Sequence, residues 1–160
     1  MGPENSHRIK RHESWPARLS QFLHDRKDVP FAWGLNDCLT FGADAVAALT
    51  GHDFAAPYRG TYHSQEEAKE LLDRLTSAFP GRPCGTVYGA VWSAFRKSPG
   101  ENILMAGRGD IVLAEFRDSD GQMRWTCGIV TDTGRQAAFV AEERGLFFVP
   151  LKFCKYFWSY

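Results

Sequence analysis

The segment from Leu39 to Leu49 predicts a helix that is apolar on nearly every side. Its sequence is LTFGADAVAAL, and only Thr40 and Asp44 are polar, four positions apart on one stripe of the helix. A helix without a polar face is buried inside a domain. The other elements of the chain must therefore cover this helix, and we expect it to form the centre of the fold.

Three further helices are predicted in the sequence around this segment. A first helix is expected over residues 14–28, ending before Val29-Pro30 because proline disfavours helix in the residue that precedes it. A capping box, Ser64-Gln-Glu-Glu67, begins the third helix, and Phe79-Pro-Gly81 ends it. Apolar spacing predicts a fourth helix over about residues 86–97.

From Asp110 onward the apolar pattern becomes typical of strands, with turn sequences such as Asp120-Gly121 between them. Helices followed by such strands indicate an α+β domain, in which the N-terminal helices pack on a C-terminal antiparallel sheet of about five strands. The predicted strands are Ile111–Phe116, Met123–Thr131, Gln136–Ala141, Leu146–Val149 and one within Phe153–Tyr160.

The length of 160 residues fits one domain. Residues 1–13 lack apolar periodicity and are expected to form a flexible N-terminal arm, either solvated or docked on a neighbouring subunit. Residues 14–160 are expected to form the single domain.

Composition argues against several classes of protein. Lys and Arg together number 19, as do Asp and Glu, and this balance argues against a nucleic-acid partner. No segment is apolar enough to span a bilayer or to act as a secretion signal, so we expect synthesis and retention in a cytoplasm, or delivery without a cleaved signal. The four cysteines contain no C-x-x-C pair, and we expect neither a metal site nor a cofactor.

Cys38 is the residue that most suggests chemistry, because it lies in the first turn of the central helix. The positive end of a helix favours a thiolate, the form in which cysteine is a nucleophile. A free cysteine is also a common small core residue. Asp37, which suits the N-cap of this helix, opposes a thiolate because its negative charge raises the pKa of a neighbouring thiol.

Two other carboxylates call for partners. Asp44 lies on an otherwise apolar helix, and a buried charge without a partner is costly. Arg59 is its candidate partner, in a structural pair or in a substrate site. Arg108-Gly109-Asp110 is interpreted as a turn that enters the first strand.

Seven sequence blocks together resemble a known family: Trp33-Gly34-x-x-Asp37-Cys38, Gly51-x-Asp53, Tyr58-Arg59-Gly60-x-Tyr62, Arg108-Gly109-Asp110-Ile-Val-Leu, Gly128-Ile-Val-Thr, Gly145-Leu and Val149-Pro150-Leu151. The resemblance covers residues 15–160 and is to small proteins encoded in the tail gene clusters of bacteriophages and prophages. These are similar to NlpC-type, papain-like cysteine peptidases, which cleave peptide bonds in bacterial cell walls. The resemblance implies a papain-like fold with Cys38 as the nucleophile. It also implies a histidine base near the start of the second core strand.

The corresponding stretch of this chain, Met123 to Ile129, contains no histidine, and no histidine follows His63. A cysteine without a base is a weak nucleophile and has no acid for the departing amine. His52, His63 or a residue of a neighbouring chain remain as alternative bases.

The resemblance and the missing base together suggest a structural or assembly component of a bacteriophage tail tip or baseplate, built on a peptidase fold that has lost its activity. Its expected partners are other tail or baseplate proteins, in a multimeric arrangement. Its expected location is the tail of the virion, after assembly in the host cytoplasm. The alternative is an active cysteine hydrolase that cleaves peptidoglycan peptides during DNA entry, or that processes a tail protein. A binding module unrelated to phages is the third hypothesis.

Overall fold

The computed structural model describes residues 9–78 and 83–160. In these ranges four α-helices precede a five-stranded antiparallel sheet, which confirms the predicted α+β class. The helices are α1 (Trp15–Arg26), α2 (Thr40–Thr50), α3 (Gln65–Ser77) and α4 (Val87–Phe95), and the strands are β1 (Ile111–Arg117), β2 (Met123–Val130), β3 (Gln136–Ala141), β4 (Gly145–Pro150) and β5 (Tyr156–Trp158). The predicted helix end at residues 79–81 lies outside the described residues.

Helix α2 lies at the centre of the core, as its composition predicts. Phe41, Val46 and Leu49 are almost completely buried and pack with side chains of α1, α4, β1 and β2. Gly42 lets the helix approach the sheet closely, because a Cβ at this position would lie 2.4 Å from the Sγ of Cys127 on β2. The helix therefore packs against the sheet through a contact that allows no larger side chain.

The sheet has the strand order β4-β3-β2-β1-β5. Strand β1 pairs with β2 along all 7 of its residues, and β3 pairs with β4 along all 6 of its residues. Strands β2 and β3 pair only at Ile129 with Ala138 and at Val130 with Ala137. The sheet is thus two antiparallel hairpins joined over a short stretch.

Both faces of the sheet are covered. One face packs against the helices, and the other carries a second cluster that includes Val112, Val130, Phe139 and Phe147. The rings of Phe139 and Phe147 stack with centroids 5.9 Å apart. Burial on both faces fixes the alternation of side chains along β1 and β2.

The predicted N-terminal arm is described only from residue 9. In that part, Arg11 donates from Nη2 to the Oδ1 of Asp110 at 2.8 Å and from Nη1 to the carbonyl of Arg108 at 2.8 Å. The guanidinium also lies over the rings of Trp15 and Tyr160, at 4.7 and 4.6 Å from their centroids. Residues 9–13 therefore pack on their own domain.

None of the helices in the described ranges is both long and apolar enough to cross a membrane.

Candidate functional site

The turn that precedes α2 depends on a glycine. Gly34 has a φ of 77°, a conformation that L side chains rarely adopt. A Cβ here would also lie 2.5 Å from the backbone carbonyl of Tyr62. The Gly34 carbonyl accepts a hydrogen bond from the N–H of Gly60 at 3.0 Å. Two of the sequence blocks, around Gly34 and around Gly60, therefore form one structural unit.

Asp37 is the polar centre of this unit. Its Oδ1 accepts from the N–H groups of Leu39 and Thr40, each at 2.9 Å, and from the hydroxyl of Thr40 at 3.1 Å. Its Oδ2 accepts from the N–H of Gly34 at 2.8 Å and from the hydroxyl of Tyr62 at 2.5 Å. Burial and the adjacent Asp37 carboxylate raise the pKa of Tyr62, so this phenol remains a donor.

The N-cap of α2 is Leu39 and not Asp37 as predicted, and the Asp37 carboxylate instead accepts from the N–H groups of the turn that leads into the helix. The N–H of Phe41 donates to the Asp37 carbonyl at 3.0 Å, so the first turn of hydrogen bonds starts here although regular α-helix begins at Thr40. Asp37 is 1% exposed, and five donors satisfy its buried carboxylate. It holds the turn that leads into α2.

Cys38 follows directly and is half-buried at the start of α2. Burial raises the pKa of its thiol far above the ordinary value of 9.0, and the charge of Asp37 raises it further. The charge of Cys127 also raises the pKa of the Cys38 thiol, while a hydrogen bond from the backbone N–H of Cys38 lowers this pKa by a smaller amount. The thiol is therefore protonated at neutral pH.

A groove of about 390 Å³ opens at Cys38. Trp33 and Phe31 line it beside Cys38, and their rings meet edge to face with centroids 4.8 Å apart. Trp125 and Thr126 of β2 line the opposite wall. The groove has the size and the mainly apolar walls of a typical binding site.

The groove contains no histidine among the described residues that line it. His52 is exposed, and its ring packs on Phe54 with centroids 4.5 Å apart. His63 is exposed as well, and its backbone N–H donates to the Oε2 of Glu67 at 2.6 Å. The structure thus places neither alternative base in the groove.

Asp44 forms the pair with Arg59 that its place on an apolar helix predicts. Arg59 Nη2 lies 2.6 Å from Asp44 Oδ1 and 2.9 Å from Asp53 Oδ1. Arg26 of α1 adds a second contact, with its Nη2 at 2.7 Å from Asp44 Oδ2. This cluster joins α1, α2 and the loop after α2, and the side chains of Asp44 and Arg59 do not line the groove.

Asp110 lies in a turn, as predicted. Its N–H donates to the carbonyl of Gly107 at 3.0 Å, and its Oδ2 accepts from the N–H of Gly107 at 2.8 Å and from the Oγ of Ser159 at 2.7 Å. With Arg11 on Oδ1, this carboxylate connects the N-terminal segment, the turn and the end of the sheet. Its contacts are structural.

Sequence reasoning missed three contributors to these sites: Tyr62, Arg26 and Trp125. Tyr62 lies within one of the sequence blocks, but nothing in the sequence indicates a role for its hydroxyl. Arg26 is one of several charged residues on a surface helix, and nothing in the sequence distinguishes it. Trp125 alternates with Cys127 and Ile129, which predicts its face of β2 but not its place in the groove.

No group of acidic, cysteine or histidine side chains among the described residues is arranged to hold a metal ion. What the groove offers chemically is a mainly apolar surface with a neutral thiol and with charged side chains of both signs, among them Lys69, Glu142 and Glu143.

The chain belongs to a protein family defined so far only as a domain of unknown function (DUF6950), whose family model matches residues 10–160. No curated protein and no solved structure matches the chain.

Proposed function

We propose that this protein is a structural or assembly component of a bacteriophage tail tip or baseplate, built on an NlpC-like, papain-like cysteine peptidase fold that no longer catalyses hydrolysis. The tail assignment is supported by the sequence blocks that resemble proteins of phage tail clusters. Its partners are other tail proteins, and its location is the virion.

The papain-like part of the proposal is supported by the arrangement of the core. A cysteine lies in the turn that leads into a buried central helix, and this helix packs on an antiparallel sheet that follows it in the sequence. The groove at Cys38 is bounded by β2, the strand on which the family would carry its base. Thr126 and Trp125 occupy this wall of the groove.

The observation that carries the loss of activity is the environment of the Cys38 thiol. Burial and Asp37 raise its pKa, and no described histidine lines the groove. A protonated thiol is a poor nucleophile, and the described lining of the groove contains no histidine to protonate the leaving amine. General acid–base assistance is worth about 10²–10⁴-fold in rate, so its loss removes useful turnover.

The test is deletion of the gene from a phage or prophage that carries it, with complementation by the wild type and by Cys38→Ala. We expect the protein in purified virions by mass spectrometry, defective tails after deletion, and equal rescue by both forms. Intact, infectious tails without the gene, together with virions that lack the protein, would contradict the proposal.

A second candidate function is active hydrolysis of peptidoglycan peptides or of a tail protein, and the place of Cys38 at a helix start inside a groove favours it. In that case Cys38→Ala would assemble normal tails but would fail to restore infectivity. Purified protein would also release soluble fragments from cell walls, and Cys38→Ala would not.

A further inference from the structure

The gap between β2 and β3 is a second feature that the proposed function does not use. The pairing of these strands stops at Ile129 and Ala138, although β2 continues back to Met123 and β3 continues on to Ala141. In the described part of the chain, no strand pairs with the rest of these two edges. Two strand edges therefore face each other across an unfilled space inside the sheet.

The register shows which backbone groups of β2 face the gap. Residues that exchange hydrogen bonds alternate along an antiparallel pair. The N–H of Val130 donates to the Asp110 carbonyl at 2.9 Å, so the even-numbered residues of β2 direct their backbone groups at β1. The N–H and C=O groups of Trp125 and Cys127 consequently point away from β1 and towards β3.

The same argument applies to β3. The N–H of Leu151 donates to the Arg135 carbonyl at 3.0 Å, so odd-numbered residues of β3 direct their backbone groups at β4. The backbone groups of Val140 therefore point into the gap from the opposite side. An occupant of the gap would meet donors and acceptors on both edges.

The groove of about 390 Å³ passes through this gap. On the helix side it is lined by Trp125 and Val140, and on the other side by Phe116 and Phe147. These residues belong to the two apolar clusters on opposite faces of the sheet. An occupant thus needs backbone donors and acceptors at its edges and apolar side chains that alternate between two faces.

An extended polypeptide is the ligand that combines these properties, since successive side chains of a strand point to opposite faces. Two negative charges at the mouth of the groove favour a basic residue in the bound segment. Glu142 and Glu143 are exposed at the end of β3, and neither carboxylate forms an ion pair with a described residue. Lys69, Arg117 and Arg124 also line the groove, and Arg124 pairs with Asp118. A segment that runs parallel to β3, and therefore antiparallel to β2, brings a basic residue that follows its apolar positions to the two glutamates.

We propose that an extended, apolar segment of a partner polypeptide, followed by basic residues, inserts between β2 and β3 and pairs with both strands. The inserted segment completes the sheet and does not involve the Cys38 thiol. The inference rests on the proposed function only in making that partner a tail protein.

The first test uses amide hydrogen exchange measured by NMR on the protein alone. We expect the amides of Trp125 and Val140 to exchange roughly a hundredfold faster than those of Thr126 and Phe139, which face paired strands. Equal protection of the four amides at low protein concentration would mean that β2 and β3 are paired in solution, and would overturn the inference.

The second test uses three synthetic peptides, VXVXVXKK, in which X is Val, Leu or Phe, so that apolar side chains point to both faces of the inserted strand. At least one is expected to bind with a Kd on the order of 100 μM and to slow exchange at Trp125 and Val140. The same peptide with N-methyl groups on alternate amides should bind at least tenfold more weakly, because it lacks donors for one of the two edges. Binding by none of the peptides, or equal binding of the methylated form, overturns the inference.

Charge variants give a matched comparison. The double substitution Glu142→Lys and Glu143→Lys should weaken peptide binding at least tenfold, whereas the double substitution Glu13→Lys and Glu70→Lys, on exposed residues outside the groove, makes the same change in net charge and should not change binding. Light scattering tests whether a second copy of the chain occupies the gap. A dimer in which the Trp125 amide is protected from exchange without peptide contradicts the proposal. Peptide binding by a protein that is absent from virions would leave this inference intact and refute the tail assignment.

Discussion

Asp37 and Cys38 are adjacent in sequence, yet their side chains lie in opposite surroundings. The Asp37 carboxylate accepts hydrogen bonds from five donors and is 1% exposed. The Cys38 thiol faces an apolar groove, with a pKa raised by burial and by Asp37. The carboxylate that organises the turn is therefore fully hydrogen-bonded, while the thiol beside it has no histidine partner among the described residues of the groove.

The largest loss of stability is expected from removal of the hydrogen-bonded Asp37 carboxylate. Asp37→Ala leaves several buried donors without an acceptor and should lower the free energy of unfolding by about 4 kcal/mol, measured by urea denaturation. Asp118→Ala is the matched control, because Asp118 accepts from Asp120, Gln122 and Arg124 in a surface turn. A loss no larger than that of the control would contradict the role assigned to Asp37.

The next effect tests the close approach that positions Asp37. Gly34→Ala introduces a Cβ 2.5 Å from the Tyr62 carbonyl as well as an unfavourable φ of 77°. We expect a loss of about 3 kcal/mol. Gly121→Ala has the same φ of 77° with nothing within 4 Å and should cost about 1 kcal/mol, since it contains the strain without the clash. Equal losses in thermal or urea unfolding would show that the contact with Tyr62 is unimportant.

The alkylation rate of the Cys38 thiol tests the second residue of the comparison. A group with a raised pKa stays protonated until the pH exceeds that pKa, so alkylation of Cys38 by iodoacetamide should be slow at pH 7 and still rising at pH 9. Exposed Cys84 serves as the internal reference, and at pH 7 we expect Cys38 to react at least tenfold more slowly, as read by peptide mass spectrometry. A plateau in the Cys38 rate near neutral pH would indicate a thiolate and favour the hydrolase hypothesis.

The smallest effect is expected from removal of the sulfur itself. Cys38→Ala removes a half-buried atom from the edge of a groove and should change the free energy of unfolding by less than about 1 kcal/mol. Cys127→Ala is the comparison, because Cys127 is 2% exposed and fills the space against Gly42. It should destabilise the protein by about 1–2 kcal/mol. A large loss from Cys38→Ala would make the thiol part of the structural unit.

Local patterns predicted most of the architecture. Ser64 caps α3 as the capping box indicates, and the change of period at Asp110 marks the start of β1. The partner of Asp44 was also predictable, since a single carboxylate on an apolar helix requires a cation. These features depend on a few neighbouring residues or on one strong requirement.

The gap in the sheet could not be predicted, because the pattern that predicts β2 is the same in its paired and unpaired parts. Its position depends on contacts between distant residues. A Cβ on Gly128 would lie 2.4 Å from the Ala138 carbonyl and 2.5 Å from the Phe139 ring, so β2 is still in close contact with β3 next to their last pair. The groove at Cys38 is bounded by the same two strands, so it could not be predicted from the sequence either.

The burial of α2 has a consequence for the chain while it is being synthesised. The helix leaves the ribosome before any strand of the sheet exists, with Phe41, Val46 and Leu49 still exposed to water. Their final contacts on the sheet come from β1 and β2, and β1 acquires its second neighbour only with β5, at Tyr156–Trp158. A nascent chain that ends before β2 therefore exposes an apolar helix surface to which chaperones can bind. The native state forms only after all strands of the sheet have been synthesised.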